Sequence, residues 1–339
     1  MTDQPIILSP IDNDLMVTTL NYGTAPTPNV KFPPMSTVTV TVPATTANLG
    51  PGFDCMGMAL NLRNEFQFTP CPEGVTIGVN GEGADSIPSD ENNLIVQAMQ
   101  FLCDYVGEPL PCCHIEQNNH VPAASGLGSS STATVAGLVG ANALLGNPVD
   151  DNCILKLATQ IEGHPDNIAP AIFGGLVLAP MGDSGEALTV ERILIPKIEV
   201  VLVLPDFELF TADARAALPT TISRADAIFN MARIPLVLRA LETQNYNLLS
   251  IAMQDKIHQP YRIPLVPGMA EAFAAAKSAG ASAVAISGAG PSTIAFAPDN
   301  LGPIGQAMVK AYAAAGLNAR MWLLETDNSG CSIKIQNPE

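Results

Sequence analysis

The sequence predicts an α+β protein built as two domains. Three observations carry that expectation. With 339 residues, 47% apolar and 14% charged, the chain can bury more than one core and is too apolar to stay unfolded. Its folded part opens on Ser36-Thr-Val-Thr-Val-Thr-Val42, the period of two that marks a strand. Its later part reads strand, helix, hairpin, helix, strand, the order of helices laid on a largely antiparallel sheet.

Residues 1–34 are rich in Pro, Thr, Asn and Asp and lack arginine. They read as a loose extension rather than an Arg-rich organellar leader. A first domain is expected over 35–196. After the first strand comes a turn dense in Gly and Pro (43–54), then the apolar stretch Met56–Leu62, strands at 65–69 and 75–79, and an amphipathic helix over 92–106. A strand at 112–117 leads to the run Pro122–Thr132. A helix follows with Val135, Leu138, Val139 and Leu145 at helical spacing and Gly146 as its stop. A helix over 150–161 is broken by Glu162-Gly-His-Pro-Asp-Asn167, and strands at 176–179 and 187–195 close the domain. The second domain, 197–339, starts with an apolar strand at 198–204. Helices are expected at 211–218, at 224–243 with Pro235 as a kink, at 269–279 and at 302–315. Strands are expected at 281–287, 292–297 and 319–325.

The net charge of −17 excludes nucleic acid and an anionic membrane as partners, since either requires a basic face. No apolar run is long enough to span a bilayer. The seven cysteines show no C-x-x-C and no regular framework, so they read as reduced thiols of a cytoplasmic protein. The four histidines show no zinc spacing. With 15 Lys and Arg in all, an anionic ligand has to be held mainly by backbone N–H groups, a helix end and a metal ion.

That requirement points to Pro122-Ala-Ala-Ser-Gly-Leu-Gly-Ser-Ser-Ser-Thr132. Gly126 and Gly128 allow a tight bend and close approach, and the hydroxyls of Ser129, Ser130, Ser131 and Thr132 stand where a helix begins. A glycine turn feeding a helix N-terminus suits phosphate oxygens. It is not a Walker loop, because no lysine occurs between Lys31 and Lys156. The plainer reading is a glycine loop capping a helix. Ser287-Gly-Ala-Gly-Pro-Ser292 is a second such turn, requiring freedom at Gly288 and Gly290, and serves equally as a tight hairpin. In a third, Asn48 and Asp54 are candidate ligand groups or Asx-turn residues. Glu162 at a helix C-terminus is unfavourable by the dipole unless Mg²⁺ offsets it or water solvates it. His164 beside it, as a lone histidine, has a structural reading too. Arg215 and Arg262 suit a substrate carboxylate, with surface ion pairing as the ordinary alternative.

The segments 42–54, 121–132, 162–175 and 287–292 together resemble the successive motifs of the GHMP small-molecule kinases. A-N-L-G-P-G-F-D with H-P-D-N resembles the homoserine kinases among them. The resemblance covers 36–335 and implies an N-terminal α+β domain followed by a ferredoxin-like C-terminal one, with the site between them. It implies ATP-dependent phosphorylation of L-homoserine at its hydroxyl; a mevalonate-like or sugar-like alcohol is the alternative. Within it, residues 122–132 (Pro122, Ala123, Ala124, Ser125, Gly126, Leu127, Gly128, Ser129, Ser130, Ser131 and Thr132) with Gly288 and Gly290 would bind ATP. Ser130 and Glu162 would hold Mg²⁺, Glu162 being chosen because Lys156 occupies the place where some members carry the glutamate. Asn48, Asp54, His164, Asn167, Arg215 and Arg262 would bind homoserine, Asp54 facing its ammonium and the arginines its carboxylate. Asp166 and Asn167 would act in catalysis by orienting the acceptor, since phosphoryl transfer needs positioning more than deprotonation. A homodimer is admitted but not specified.

Overall fold

The computed structural model describes residues 36–183, 185, 187 and 189–337; the stretch 1–34 lies outside the described residues. The chain lays down β1 (Thr37–Ala47), β2 (Met56–Pro70), β3 (Val75–Gly81), α1 (Leu94–Val106) and β4 (Cys113–Asn119). Three helices follow, α2 (Ser129–Leu144), α3 (Asp151–Glu162) and α4 (Ile168–Phe173), then the short β5 (Leu176–Leu178) and β6 (Glu191–Ile193). The second half runs β7 (Glu199–Pro205), α5 (Thr211–Ala216), α6 (Arg224–Met231), α7 (Ile234–Glu242), α8 (Tyr246–Ala252) and α9 (Gln259–Arg262). It continues with α10 (Met269–Ser278), β8 (Ala283–Ile286), β9 (Thr293–Phe296), α11 (Leu301–Ala314), β10 (Ala319–Glu325) and β11 (Ser332–Gln336).

Two sheets result. The first has the order β11-β1-β2-β4-β3, with β5 added to β2 and β6 to β5; the second has the order β10-β7-β9-β8. All pairs are antiparallel except β3 with β4. The alternation that marked β1 places Val38, Val40 and Val42 inward, where they meet α1 to α4 in one core. β7 is apolar on both faces because each face has its own core. Val200 and Leu202 join Met56, Met58, Leu60 and the helices α7 and α8 between the sheets, whereas Val201 and Val203 meet α10 and α11. A continuous apolar run is the expected signature of such a strand.

Two local expectations change. The apolar stretch 56–62 and the strand at 65–69 are one strand, β2. Pro235 does not kink a single helix over 224–243; it sits in the first turn of α7, and α6 has already ended at Met231. Proline has no N–H to donate, so the start of a new helix is its natural place. The helix α8 and the strand β11 carry no expectation above. β11 returns the chain to the first sheet, pairing Thr37–Thr41 with Ser332–Gln336.

Candidate active site

Three turns are tied to one another between the sheets. In the β1–β2 turn, Asn48 takes φ 72°, a left-handed backbone that asparagine tolerates. Its side chain donates to the Gly288 carbonyl at 2.8 Å and accepts from the Asp54 N–H at 3.0 Å. In the loop before α2, Gly126 takes φ 78°, and a Cβ there would stand 2.3 Å from the Ser287 carbonyl oxygen. The two backbones meet because residue 126 lacks a side chain. Ser287 Oγ donates to the Gly126 carbonyl at 2.7 Å, and the Ser292 N–H donates to the Ser125 carbonyl at 3.3 Å.

These turns enclose a cavity of about 260 Å³. It is lined by every expected site residue except Pro122, Ala123, Leu127 and Thr132. Leu127 is wholly buried in the core between the sheets. Thr132 points away, donating to the Ser129 carbonyl at 2.7 Å and accepting from Asn64 at 2.9 Å. Pro122 and Ala123 line a neighbouring cavity of about 720 Å³ with Glu82, Asp206 and Arg320.

At one end of the cavity α2 begins after Gly128, with no side chain capping it. The N–H groups of its first turn therefore lack the acceptor a capping residue supplies. Beside them Ser130 Oγ donates to Glu162 Oε2 at 2.9 Å, and Thr134 Oγ1 donates to Oε1 at 2.8 Å. Ser130 and Thr134 are one helical turn apart, so both reach the same carboxylate. Among the described residues no group of three His, Cys, Asp or Glu side chains is placed to hold a metal ion. A hard cation that keeps waters and shares phosphate oxygens needs only the carboxylate and hydroxyl found here.

At the other end lie the charged groups. Arg215 forms a bidentate pair with Asp54, both contacts at 2.8 Å; the sequence reading had set them on opposite ends of the substrate. The pairing holds the Arg215 pKa above its ordinary value. Arg262 is 2% exposed. Among the described residues it has no carboxylate within ion-pairing distance. Its bonds reach neutral acceptors only: the carbonyls of Ala214 and Gly288, each at 3.3 Å, and His258 Nδ1 at 3.4 Å. Burial, then repulsion from Arg215, pulls its pKa down to about 10, which leaves it cationic at neutral pH. Phe53 lies beneath both guanidiniums, 5.7 Å from Arg215 and 5.1 Å from Arg262.

Between the two ends stands the turn from α3 to α4. His164 Nδ1 is 2.7 Å from Asp166 Oδ1. Burial lowers the imidazole pKa, but the hydrogen bond and charge of Asp166 outweigh it, so the net shift is upward. Thr45 Oγ1 donates to Asn167 Oδ1 at 2.8 Å, and the Asn167 amide nitrogen donates to Asp166 Oδ1 at 3.5 Å. Sequence reasoning missed Thr45, Phe53, Thr134 and His258, and also Leu209, Phe210 and Thr211 on the cavity wall. For Thr134 a signal existed, its four-residue spacing from Ser130. For the wall residues none did.

A glycine loop opening on an uncapped helix end, with a hydroxyl–carboxylate pair beside it, is the arrangement of a phosphate-handling enzyme. Residues 93–175 match the description "GHMP kinases N terminal domain" and residues 237–314 match "GHMP kinases C terminal". The chain is 46% identical over 299 residues to a homoserine kinase of Synechococcus sp., covering 88% of this chain and 98% of that one. It is 48% identical over 303 residues to a homoserine kinase of Nostoc sp., covering 88% and 99%. A solved homoserine kinase from Cytophaga hutchinsonii superposes with a TM-score of 0.79 at 30% identity, covering 93% of this chain and 100% of that one. A mevalonate kinase from L. major with R-mevalonate, at TM-score 0.65 and 16% identity over 86% of this chain and 96% of that one, shares the fold. The chain belongs to the GHMP kinases and, within them, to the homoserine kinase family. Among the described residues no helix is long and apolar enough to cross a membrane.

Proposed function

We propose that the chain transfers the γ-phosphoryl group of ATP to the side-chain hydroxyl of L-homoserine, giving ADP and O-phospho-L-homoserine, the phosphorylated precursor of threonine. The observation that carries this reading is the shared cavity: the open end of α2 and a buried, carboxylate-free Arg262 line the same space. A phosphate chain and an amino-acid head group then bind side by side. An alcohol without a carboxylate would forgo the ion pair that the already buried and unpaired Arg262 charge offers.

In this reading the phosphates lie on the Ser125–Ser131 turn, held by backbone N–H groups and the positive end of α2. Ser130 and Glu162 would hold Mg²⁺, which would supply the neutralisation of phosphate charge that an acidic chain with few lysines otherwise lacks. The substrate zwitterion lies against the Asp54–Arg215 pair with its charges in the opposite sense. Its carboxylate reaches Arg262, and its ammonium reaches the lone pairs of Asp54 not used by Arg215. Asp166 and Asn167 orient the hydroxyl in line with the phosphorus. As the new O–P bond forms, the bond from the γ-phosphorus to the bridging oxygen breaks, ADP departs, and the hydroxyl proton passes to a transferred phosphoryl oxygen and from there to water. Through a loose transition state this gains more from orientation than from a strong base. His164 keeps the Asp166 carboxylate directed by its hydrogen bond.

The test is ADP release from Mg-ATP with a panel of small alcohols. Homoserine is expected to be the acceptor. Release with mevalonate but not homoserine would overturn the substrate assignment, and nucleotide binding without release on any acceptor would overturn the activity.

A further inference from the structure

His258 lies outside every motif that marked the site, yet its side chain is wholly buried at the back of it. Its ring nitrogens have distinct partners. Nε2 is 2.8 Å from the Gly50 carbonyl oxygen, and a carbonyl only accepts, so Nε2 carries the proton. Nδ1 is then a lone pair, and it faces Arg262 Nη1 at 3.4 Å, a nitrogen that only donates. The two contacts select one tautomer of the neutral ring. Phe53 stacks on that ring at 5.2 Å and 23° while also lying beneath both guanidiniums.

We propose that His258, neutral and held in its Nε2–H tautomer, is a positioning residue that aims the Arg262 guanidinium at the substrate carboxylate. This rests on the reading of Arg262 as the carboxylate clamp. Arg262 has no carboxylate to orient it, and its other two acceptors are backbone carbonyls. Among the described residues His258 is the side chain that hydrogen-bonds it. Asp255 does not compete for the imidazole proton. Its oxygens already accept from the N–H groups of Ile257, His258 and Gln259 at 2.8, 3.0 and 2.6 Å and from Asn230 at 2.6 Å, while Nε2 stands 3.5 Å away. The charged groups facing His258 are Asp255, Arg262 and, beyond Phe53, Asp54. Burial is the largest influence and holds the ring below the ordinary histidine pKa; Asp255 and Asp54 favour the proton, Arg262 opposes it. A proton on Nδ1 would remove the acceptor and set a second cation against the guanidinium.

Two amide replacements separate this role from that of a strut under Gly50. In His258→Asn the side-chain oxygen takes the place of Nδ1 and keeps an acceptor for Arg262. In His258→Gln the amide nitrogen takes the place of Nε2 and keeps only the donor to Gly50. The homoserine KM of H258Q is expected to exceed that of H258N by about tenfold, with kcat and the ATP KM differing far less. Equal KM values, or a higher one for H258N, would overturn the positioning role. Arg262→Ala serves as the separate control: an unchanged homoserine KM there would overturn the clamp reading itself. ¹⁵N-histidine NMR of the unaltered protein is a check that does not depend on a variant folding. It should show His258 as the neutral Nε2–H tautomer at neutral pH; the Nδ1–H tautomer or a protonated ring would overturn the proposal.

Discussion

Arg262 and Asp54 show how much one side chain's surroundings decide its use. Asp54 has a bidentate partner, whereas Arg262 has only neutral acceptors. A guanidinium left without a carboxylate in a nearly water-free position is poised to gain from an anionic ligand, because the desolvation cost is already met in the folded protein. Arg262→Ala should therefore raise the homoserine KM by about a hundredfold, with a much smaller change in the ATP KM. Steady-state kinetics with each substrate varied would check this, and equal changes in both would refute the clamp. The 42–54 motif made Asp54 legible as a candidate, and the scarcity of cationic residues did so for Arg215 and Arg262. The pairing of Asp54 with Arg215 was not legible, since the two are far apart in sequence and meet only through the fold.

Among the elements, the loop before α2 and the loop between β8 and β9 form one structure. Gly126 is where their backbones touch, and its positive φ adds a second demand on the same residue. Gly126→Ala should displace the Ser287–Gly290 loop and lower kcat/KM by an order of magnitude or more, roughly as expected when catalytic groups move by about 1 Å. Unchanged kinetics would show that the loop contact does not support the site. The link into β11 depends on another local device. Asp327 accepts from Arg63 Nε at 2.8 Å and from the Ser329 N–H at 2.7 Å, and its own N–H donates to the Ala59 carbonyl at 3.0 Å. Burial alone would raise its pKa, but the Ser329 donors and Arg63 more than offset it, so the folded value is depressed. A depressed carboxylate stabilises the fold above its unfolded pKa, and that contribution is lost as pH falls through the folded value. Asp327→Asn should thus lower the melting temperature at neutral pH and narrow its gap to the unaltered protein below about pH 4. A gap independent of pH would refute the ionic account.

For the molecule as a whole, the net charge of −17 works against an anionic co-substrate at long range, even though the cavity itself offers amide hydrogens and a helix end. Raising ionic strength from about 0.01 to about 0.1 M shortens the Debye length from about 30 to about 10 Å and screens that repulsion. The association rate of Mg-ATP should rise by about twofold or more over that range, measurable by stopped-flow. A fall would mean that local positive groups dominate the approach.

The sequence by itself determined the α+β class, most of the strands and helices, and nearly all residues that line the cavity. Strand alternation, glycine turns and hydroxyls at a helix start are local features, written within a few residues of one another. What only the tertiary structure decided was which charges pair, which side chains stand behind the site, and where the last strand goes. Phe53 under two guanidiniums, His258 behind Arg262 and β11 on β1 are contacts between segments whose separation in sequence carries no periodic trace. Such contacts follow from packing two sheets and their helices around shared cores, and a linear pattern of residue types does not record that packing.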